Sequence, residues 1–321
     1  MNKFEFDIPV ALIFFNRPQT FHKVFEKVKK VRPKQLFLIQ DGARPGNKHD
    51  TDLIADCRKI AENIDWECEV YKDYSKENLG CGIRPYTGVN FVFNHVDRAI
   101  ILEDDCVPTD SFFNYCKEML ERYQDDKRIG LVSGFNYFNE YFFDGNSYGF
   151  VKSGSISGWA TWKDRWQQYD YTISGIEKPE IVEKLLHEIT PKTAAKRRVQ
   201  TWRKARRAIL KTGRVSFWDY QWGFTRHVNS WLSIVPQYSQ ITNIGVGNGA
   251  THSANSIKHL PSIIAAFFFM SLTELSFPLK HPETVTVDKG YDKAYYKIVY
   301  PNYVVKNIRR AYKLISRLIR N

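Results

Sequence analysis

The chain has 321 residues, 43% of them hydrophobic and 15% aromatic, so it can bury a sizeable core and is not a disordered polypeptide. A net charge of +12 favours anionic partners (phosphorylated substrates, an acidic membrane surface or nucleic acid) without choosing among them. Five cysteines, Cys57, Cys68, Cys81, Cys106 and Cys116, form no CxxC pair, which argues against a disulfide framework or a zinc ribbon and suits a reducing compartment.

The opening MNKFEFDIPV lacks the apolar core of a signal peptide, so a cytoplasmic location is expected. Pro9 to Phe15 is a continuous apolar run, the mark of a strand buried on both faces of a parallel sheet. It ends at Asn16-Arg17-Pro18, and Pro18 suits a helix start, followed by Phe21, Val24, Phe25 and Val28 at helical spacing. Gln35 to Gln40 is a second buried strand, stopped by Asp41-Gly42; Thr51 to Glu62 reads as a helix, Trp66 to Tyr71 as a third strand, and Pro85 to Val96 as a helix. Arg98 to Leu102 is a fourth strand running into Glu103-Asp104-Asp105, with a helix expected over Phe112 to Arg122. This alternation predicts an α/β fold with a mostly parallel, doubly wound sheet, whose ligand crevice lies beyond the carboxyl ends of its strands.

Beyond about residue 130 the pattern loosens into segments rich in glycine, serine and aromatic residues. The densely basic stretch from Lys192 to Arg214 and an amphipathic basic helix expected from Val304 to Ile319 can hold the protein at an anionic inner leaflet, or can equally be solvated faces. The run from Ile263 to Met270 is too short for the ~20 residues needed to cross a bilayer.

The acidic triplet is the strongest local element. Hard carboxylate oxygens at a strand end suit Mn²⁺ or Mg²⁺, and such an ion neutralises a departing diphosphate. Asp41 reads as a turn residue or as an acceptor for a nucleobase N–H, and Arg17 as a solvated cation or a base and phosphate contact. Asn78 to Arg84 reads as a capping turn or as a stretch where backbone N–H groups and Arg84 face phosphates. Trp159, Trp162 and Trp166 read as core or as an acceptor platform. Asp219, among large rings in FWDYQW, reads as a helix N-cap or as a partly desolvated general base. The glycine-rich run from Asn243 to His252 reads as a mobile lid, with His252 a surface residue or a diphosphate contact.

In order, PVALIFFNRP, LFLIQDG, ENLG, AIILEDD, SGWATW, FWDYQW and NIGVGNGATHS resemble the inverting GT-A glycosyltransferases similar to N-acetylglucosaminyltransferase I, in the bacterial surface-glycan form that is glycosyltransferase family 2-like. The resemblance spans roughly residues 8 to 256. It implies a GT-A catalytic domain over 1–256, divided into a nucleotide-sugar-binding half (1–130) and an acceptor half with a lid loop (131–256), followed by a C-terminal extension over 257–321. By the same resemblance Asp105 matches the direct metal ligand, Glu103 and Asp104 the donor-sugar and ribose contacts, and Arg17 and Asp41 the positions that hold the base. Asp219 matches the catalytic base, residues 245–252 the loop that orders over the donor, and Gly158-Trp159 the acceptor-side wall; Trp218, beside the base, is a further acceptor-side candidate. The family carries a second Asp after the FWD Asp, where this sequence has Tyr220.

The implied activity is metal-dependent inverting transfer of a sugar from a nucleotide diphospho-sugar, a UDP-sugar above all, to a hydroxyl of a glycan or lipid-linked acceptor. Two rivals remain: a sugar-nucleotide pyrophosphorylase, against which NRP replaces the expected glycine-rich loop after the first strand, and a nucleic-acid binder using residues 192–214, for which no recognition signature is present.

Overall fold

The computed structural model describes residues 6–215, 217–246 and 265–300. Eight strands form one sheet in the order β3-β2-β1-β4-β8-β6-β9-β7. Its first half is built from β1 (Val10–Phe14), β2 (Gln35–Gln40), β3 (Glu69–Tyr74) and β4 (Arg98–Glu103), all parallel. β1, every residue of it buried, lies between β2 and β4. The chain therefore winds outward through β2 and β3 on one side of β1 and returns to its other side with β4. That reversal of direction places a crevice at the carboxyl ends of β1 and β4.

Helices α1 (Pro18–Val31), α2 (Lys48–Ala61) and α3 (Gly80–His95) join these strands. α1 has Pro18 at its first turn and buries Phe21, Val24, Phe25 and Val28, the stripe its spacing predicts. Several boundaries differ from the sequence expectation: α2 starts at Lys48, three residues early, and two further shifts have a visible cause. β3 begins at Glu69 because Glu69 pairs with Gln35, whereas Trp66 lies outside the ladder and donates its indole N–H to the Pro33 carbonyl at 2.9 Å. α3 begins five residues ahead of Pro85 because the Asp41 carboxylate accepts the Leu79 and Gly80 N–H groups, both at 2.8 Å, and anchors an earlier first turn.

The second half is mixed. β5 (Cys106–Pro108) and α4 (Ser111–Arg122) lead to β6 (Ile129–Ser133), β7 (Tyr148–Val151) and β8 (Trp159–Trp162). β8 is antiparallel to both β4 and β6 and so joins the halves into one sheet. The helices α5 (Lys163–Trp166), α6 (Pro179–Glu188), α7 (Lys192–Thr212) and α8 (Asp219–Val228) precede β9 (Leu232–Pro236), which is parallel to β6. β10 (Ile241–Asn243) pairs antiparallel with β5 and brings Asn243 opposite Cys106. The result is a mixed α/β architecture around a large, mostly parallel central sheet.

The basic segment from Lys192 is a single helix that buries Ala194, Ala195, Val199, Trp202 and Ile209. Residues 265–300 pack closely on the rest: Leu275 and Leu279 join the same apolar cluster as β1, and α9 (Lys289–Val299) buries Tyr291, Tyr295 and Tyr296. Among the described residues no helix is long and apolar enough to cross a membrane. The expected helix from Val304 to Ile319 lies outside them.

Candidate active site

The crevice beyond β1 and β4 is lined by charge. Arg17, just past β1, donates to the carboxylates of Asp104 and of Asp105, the latter at 3.0 Å. Burial alone works against the guanidinium charge, but the two carboxylates beside it outweigh that cost and hold Arg17 firmly protonated. Asp104 is buried and also accepts the Phe15 N–H at 3.2 Å. β4 ends at Glu103, and Asp104 and Asp105 form the turn that follows, where both carboxylates meet the Arg17 guanidinium.

Glu103 is half-buried and receives no hydrogen bond among the described residues. Its carboxyl is pushed up to about 8, first by burial and then by the Asp105 and Asp104 charges; Arg17 offsets part of this, and Asp219 adds to it. Asp219 is the first residue of α8, where unpaired backbone N–H groups favour an anion. It lies on the far half of the sheet in sequence, yet its charge is felt at Glu103. Cys81, at the start of α3, sits among the same groups: burial raises its thiol, and Asp41, Glu103 and Asp219 raise it further. The packing agrees: Trp218, next to Asp219, lies 5.8 Å from Trp159, which pairs with Ile101 of β4, so α8 starts beside the end of β4.

Asp105 is enclosed by the start of the glycine-rich run. Asn243 donates its amide to Asp105 at 3.2 Å, Cys106 donates its thiol at 3.4 Å, and the Ile244 N–H binds the Asp105 carbonyl at 2.9 Å. Gly245 lies so close that a Cβ there would run into the Asp105 carboxylate. Sequence reading missed Asn243 and the tight fit of Gly245; the only signal was the Asn-Ile-Gly that opens the run. His252 and the remainder of the run lie outside the described residues.

Compared with family profiles and with curated proteins, the chain matches none. It is similar to several solved structures. One is UDP-glucose pyrophosphorylase complexed with UDP-glucose, at 10% identity over 72% of this chain and 91% of that one, with a TM-score of 0.33. A second is HddC from Yersinia pseudotuberculosis, at 12% identity over 51% and 80%, TM-score 0.31. A third is mouse xyloside xylosyltransferase 1 in its apo form, at 8% identity over 69% and 80%, TM-score 0.32. With TM-scores this low, these likenesses carry no weight in assigning an activity.

Other expected site residues have different surroundings. Asp41 is buried and accepts from Gly42, Leu79 and Gly80 N–H groups and from the Asn78 amide at 3.1 Å, so both its oxygens are engaged in capping α3. Arg84, expected to face phosphates, is instead buried against β3, donating to the Asp73 carboxylate at 2.8 Å and to the Asp73 carbonyl. Trp159 and Trp218, expected on the acceptor side, are buried in an indole cluster with Trp166 and Trp222, at centroid separations of 5.1 to 6.3 Å. Gly158 adopts a left-handed φ of 64°, and a Cβ there would strike Ile241. Rings that do reach solvent beside Asp219 are Phe217 and Tyr220, 42% and 39% exposed and 5.4 Å apart. Asp219 itself is exposed, not desolvated among rings as its neighbours in sequence suggested.

The acidic crevice is chemically suited to a divalent cation. Its donors are hard carboxylate oxygens, and a dication among them would favour the ionised form of Glu103 that burial and the neighbouring carboxylates disfavour. No cluster of three protein ligands forms among the described residues. A site built on one or two carboxylates that completes its shell with substrate phosphates and water needs no such cluster.

Proposed function

We propose that the chain is an inverting glycosyltransferase that uses a nucleotide diphospho-sugar, UDP-linked above all, and a divalent cation held at Asp105. The observation that carries the reading is the packing of the α8 start beside the end of β4: Trp218, next to Asp219, lies on Trp159, which pairs with Ile101, and the Asp219 charge adds to the field at Glu103. When bound, Mn²⁺ or Mg²⁺ would supply charge neutralisation for the departing diphosphate. Arg17 fixes the Asp104 and Asp105 carboxylates and keeps their repulsion from opening the strand end. Glu103, held ready to accept or carry a proton near neutral pH, can hydrogen-bond a sugar hydroxyl. Asp219, exposed at the start of α8, takes the proton from the acceptor hydroxyl as that oxygen attacks the anomeric carbon. Phe217 and Tyr220 offer the acceptor ring an apolar wall. The opening of the glycine-rich run lies against Asp105 through Asn243 and Gly245, beside the proposed cation position.

The acceptor is a glycan or lipid-linked glycan. The basic outer face of α7, which also exposes Leu210, is the part of the described surface suited to an anionic bilayer. The test is a panel of nucleotide sugars assayed for released nucleotide with Mn²⁺ and with EDTA. Metal-dependent release from one donor, increased by an acceptor glycan, is expected. Nucleoside triphosphate formed when pyrophosphate replaces the acceptor would identify a pyrophosphorylase instead.

A further inference from the structure

Away from this crevice, a half-buried arginine of α7 lies against α8 near a buried arginine of that helix, with no acid between them: the Arg198 guanidinium sits 3.3 Å from where a Cβ on Gly223 would be, three residues before Arg226. Arg226, on α8, is 5% exposed and donates only to neutral oxygens, the Ser233 hydroxyl at 2.6 Å and the Gly154 carbonyl at 3.1 Å. Arg198, on α7, stacks its guanidinium 5.0 Å from the Trp202 ring. Neither forms an ion pair with a carboxylate among the described residues, and the Nε of each is buried without a hydrogen-bond partner there. The nearby Asp292 accepts the Lys152 and Ser153 backbone N–H groups, at 2.8 and 2.9 Å, instead. The arginines feel each other: burial first, and then the Arg198 charge, hold the Arg226 guanidinium down to about 10.

Burying a cation without a counter-ion is costly, and a second, half-buried cation on the same side of α8 adds to that cost. The groups around them are hydroxyls. Tyr137, Tyr295 and Tyr296 influence Arg226, and Tyr295, Tyr296 and Tyr300 influence Arg198. Forked N–H donors with O–H donors beside them match a tetrahedral oxyanion, and two guanidiniums match a charge of two. Arg198 and Tyr300 are only half-buried, which leaves that side open to a ligand.

We propose that Arg198 and Arg226 together receive a phosphate-type dianion carried by the acceptor substrate. Arg226 follows Asp219 by two turns of α8, so the anion would bind on the same side of the helix, ~10 Å from the base. Assigning the anion to the acceptor rests on the transferase reading above; the anion site itself does not.

The test is calorimetric titration of the full chain with inorganic phosphate, for wild type, Arg198→Gln and Arg226→Gln, with circular dichroism melts to establish folding. Wild type is expected to bind phosphate, and Arg198→Gln to bind it roughly tenfold or more weakly. Arg198 is the less buried of the two, so its variant keeps the test decisive if Arg226→Gln does not fold. No phosphate binding by wild type, or binding unchanged in folded Arg198→Gln, overturns the proposal. Arg198-dependent phosphate binding by a protein that turns over no nucleotide sugar sustains the anion site and sinks the transferase reading. Turnover with Arg198-independent phosphate binding does the reverse. Transfer to a phosphorylated acceptor, against its dephosphorylated form, separates an acceptor phosphate from free phosphate: the site predicts a KM that rises for the dephosphorylated acceptor in wild type but not in Arg198→Gln.

Discussion

Replacing Glu103 by Gln removes the proton-binding group that the crevice perturbs most clearly. In the folded protein this carboxyl titrates near 8, against an ordinary 4.5, because burial and the Asp105 and Asp104 charges disfavour its ionised form. The folded state therefore binds this proton more tightly than the unfolded chain does. A raised acid of this kind contributes stability that is fully present below about pH 4.5 and is lost as pH rises through about 8. The shift sets a ceiling of ~5 kcal/mol, at 1.36 kcal/mol for each pH unit. Glu103 is only half-buried and Arg17 shares its field, so an effect on the order of 2 kcal/mol is expected, a few degrees in Tm for a chain of this size. The assay is thermal unfolding in metal-free buffer at pH 5, 7 and 9. Wild type should lose stability relative to Glu103→Gln between pH 5 and pH 9, with the variant the more stable at pH 9. Parallel curves for the two proteins would refute the assigned environment of Glu103, and with it the crowding of carboxylates on which the crevice depends.

Arg17→Met should cost ~3–5 kcal/mol, because it leaves the buried Asp104 charge uncompensated; a chemical denaturation midpoint equal to wild type would contradict the pairing. Gly245→Ala should leave the melt within a degree or two of wild type but sharply lower nucleotide-sugar turnover, since its Cβ displaces the Asp105 carboxylate; full turnover would show that this contact has no role at the site. Arg84→Gln should destabilise by ~1–3 kcal/mol without changing the KM for a nucleotide sugar, because its guanidinium serves Asp73; a large rise in KM would return it to the phosphate role suggested by its sequence position. Asp41→Ala should cost about 1–2 kcal/mol through the lost cap of α3, measured by denaturant titration.

The parallel half of the sheet was legible because strands buried on both faces leave uninterrupted apolar runs. Gln35–Gln40 was read to the residue, and the acidic triplet stood out because it follows such a run directly. The mixed half was not. Tyr148–Val151 and Trp159–Trp162 are four-residue strands whose partners, β9 and β4, lie far away in sequence. Aromatic-rich segments looked like a binding wall when they were filling the core, because a tryptophan has the same signature in either place. Arg84 was misplaced for a traceable reason: β3 was read three residues early, which left its partner Asp73 off the strand and its ion pair invisible. Asp41 was ambiguous for a similar reason, since the chain that it caps returns to it only in the folded state. The pairing of half-buried Arg198 with buried Arg226 is likewise a product of α7 packing on α8, and each looked like an ordinary basic residue in its own segment.

The most direct measurement is nucleotide binding and sugar transfer compared in Asp105→Ala and Asp219→Asn, with the donor found in the panel and Mn²⁺ present. If one carboxylate manages the leaving group and the other the incoming hydroxyl, Asp105→Ala loses metal-dependent UDP affinity, whereas Asp219→Asn binds UDP as wild type does and transfers no sugar. Asp219→Asn with normal transfer, or with its UDP affinity lost alongside activity, would contradict that division of labour.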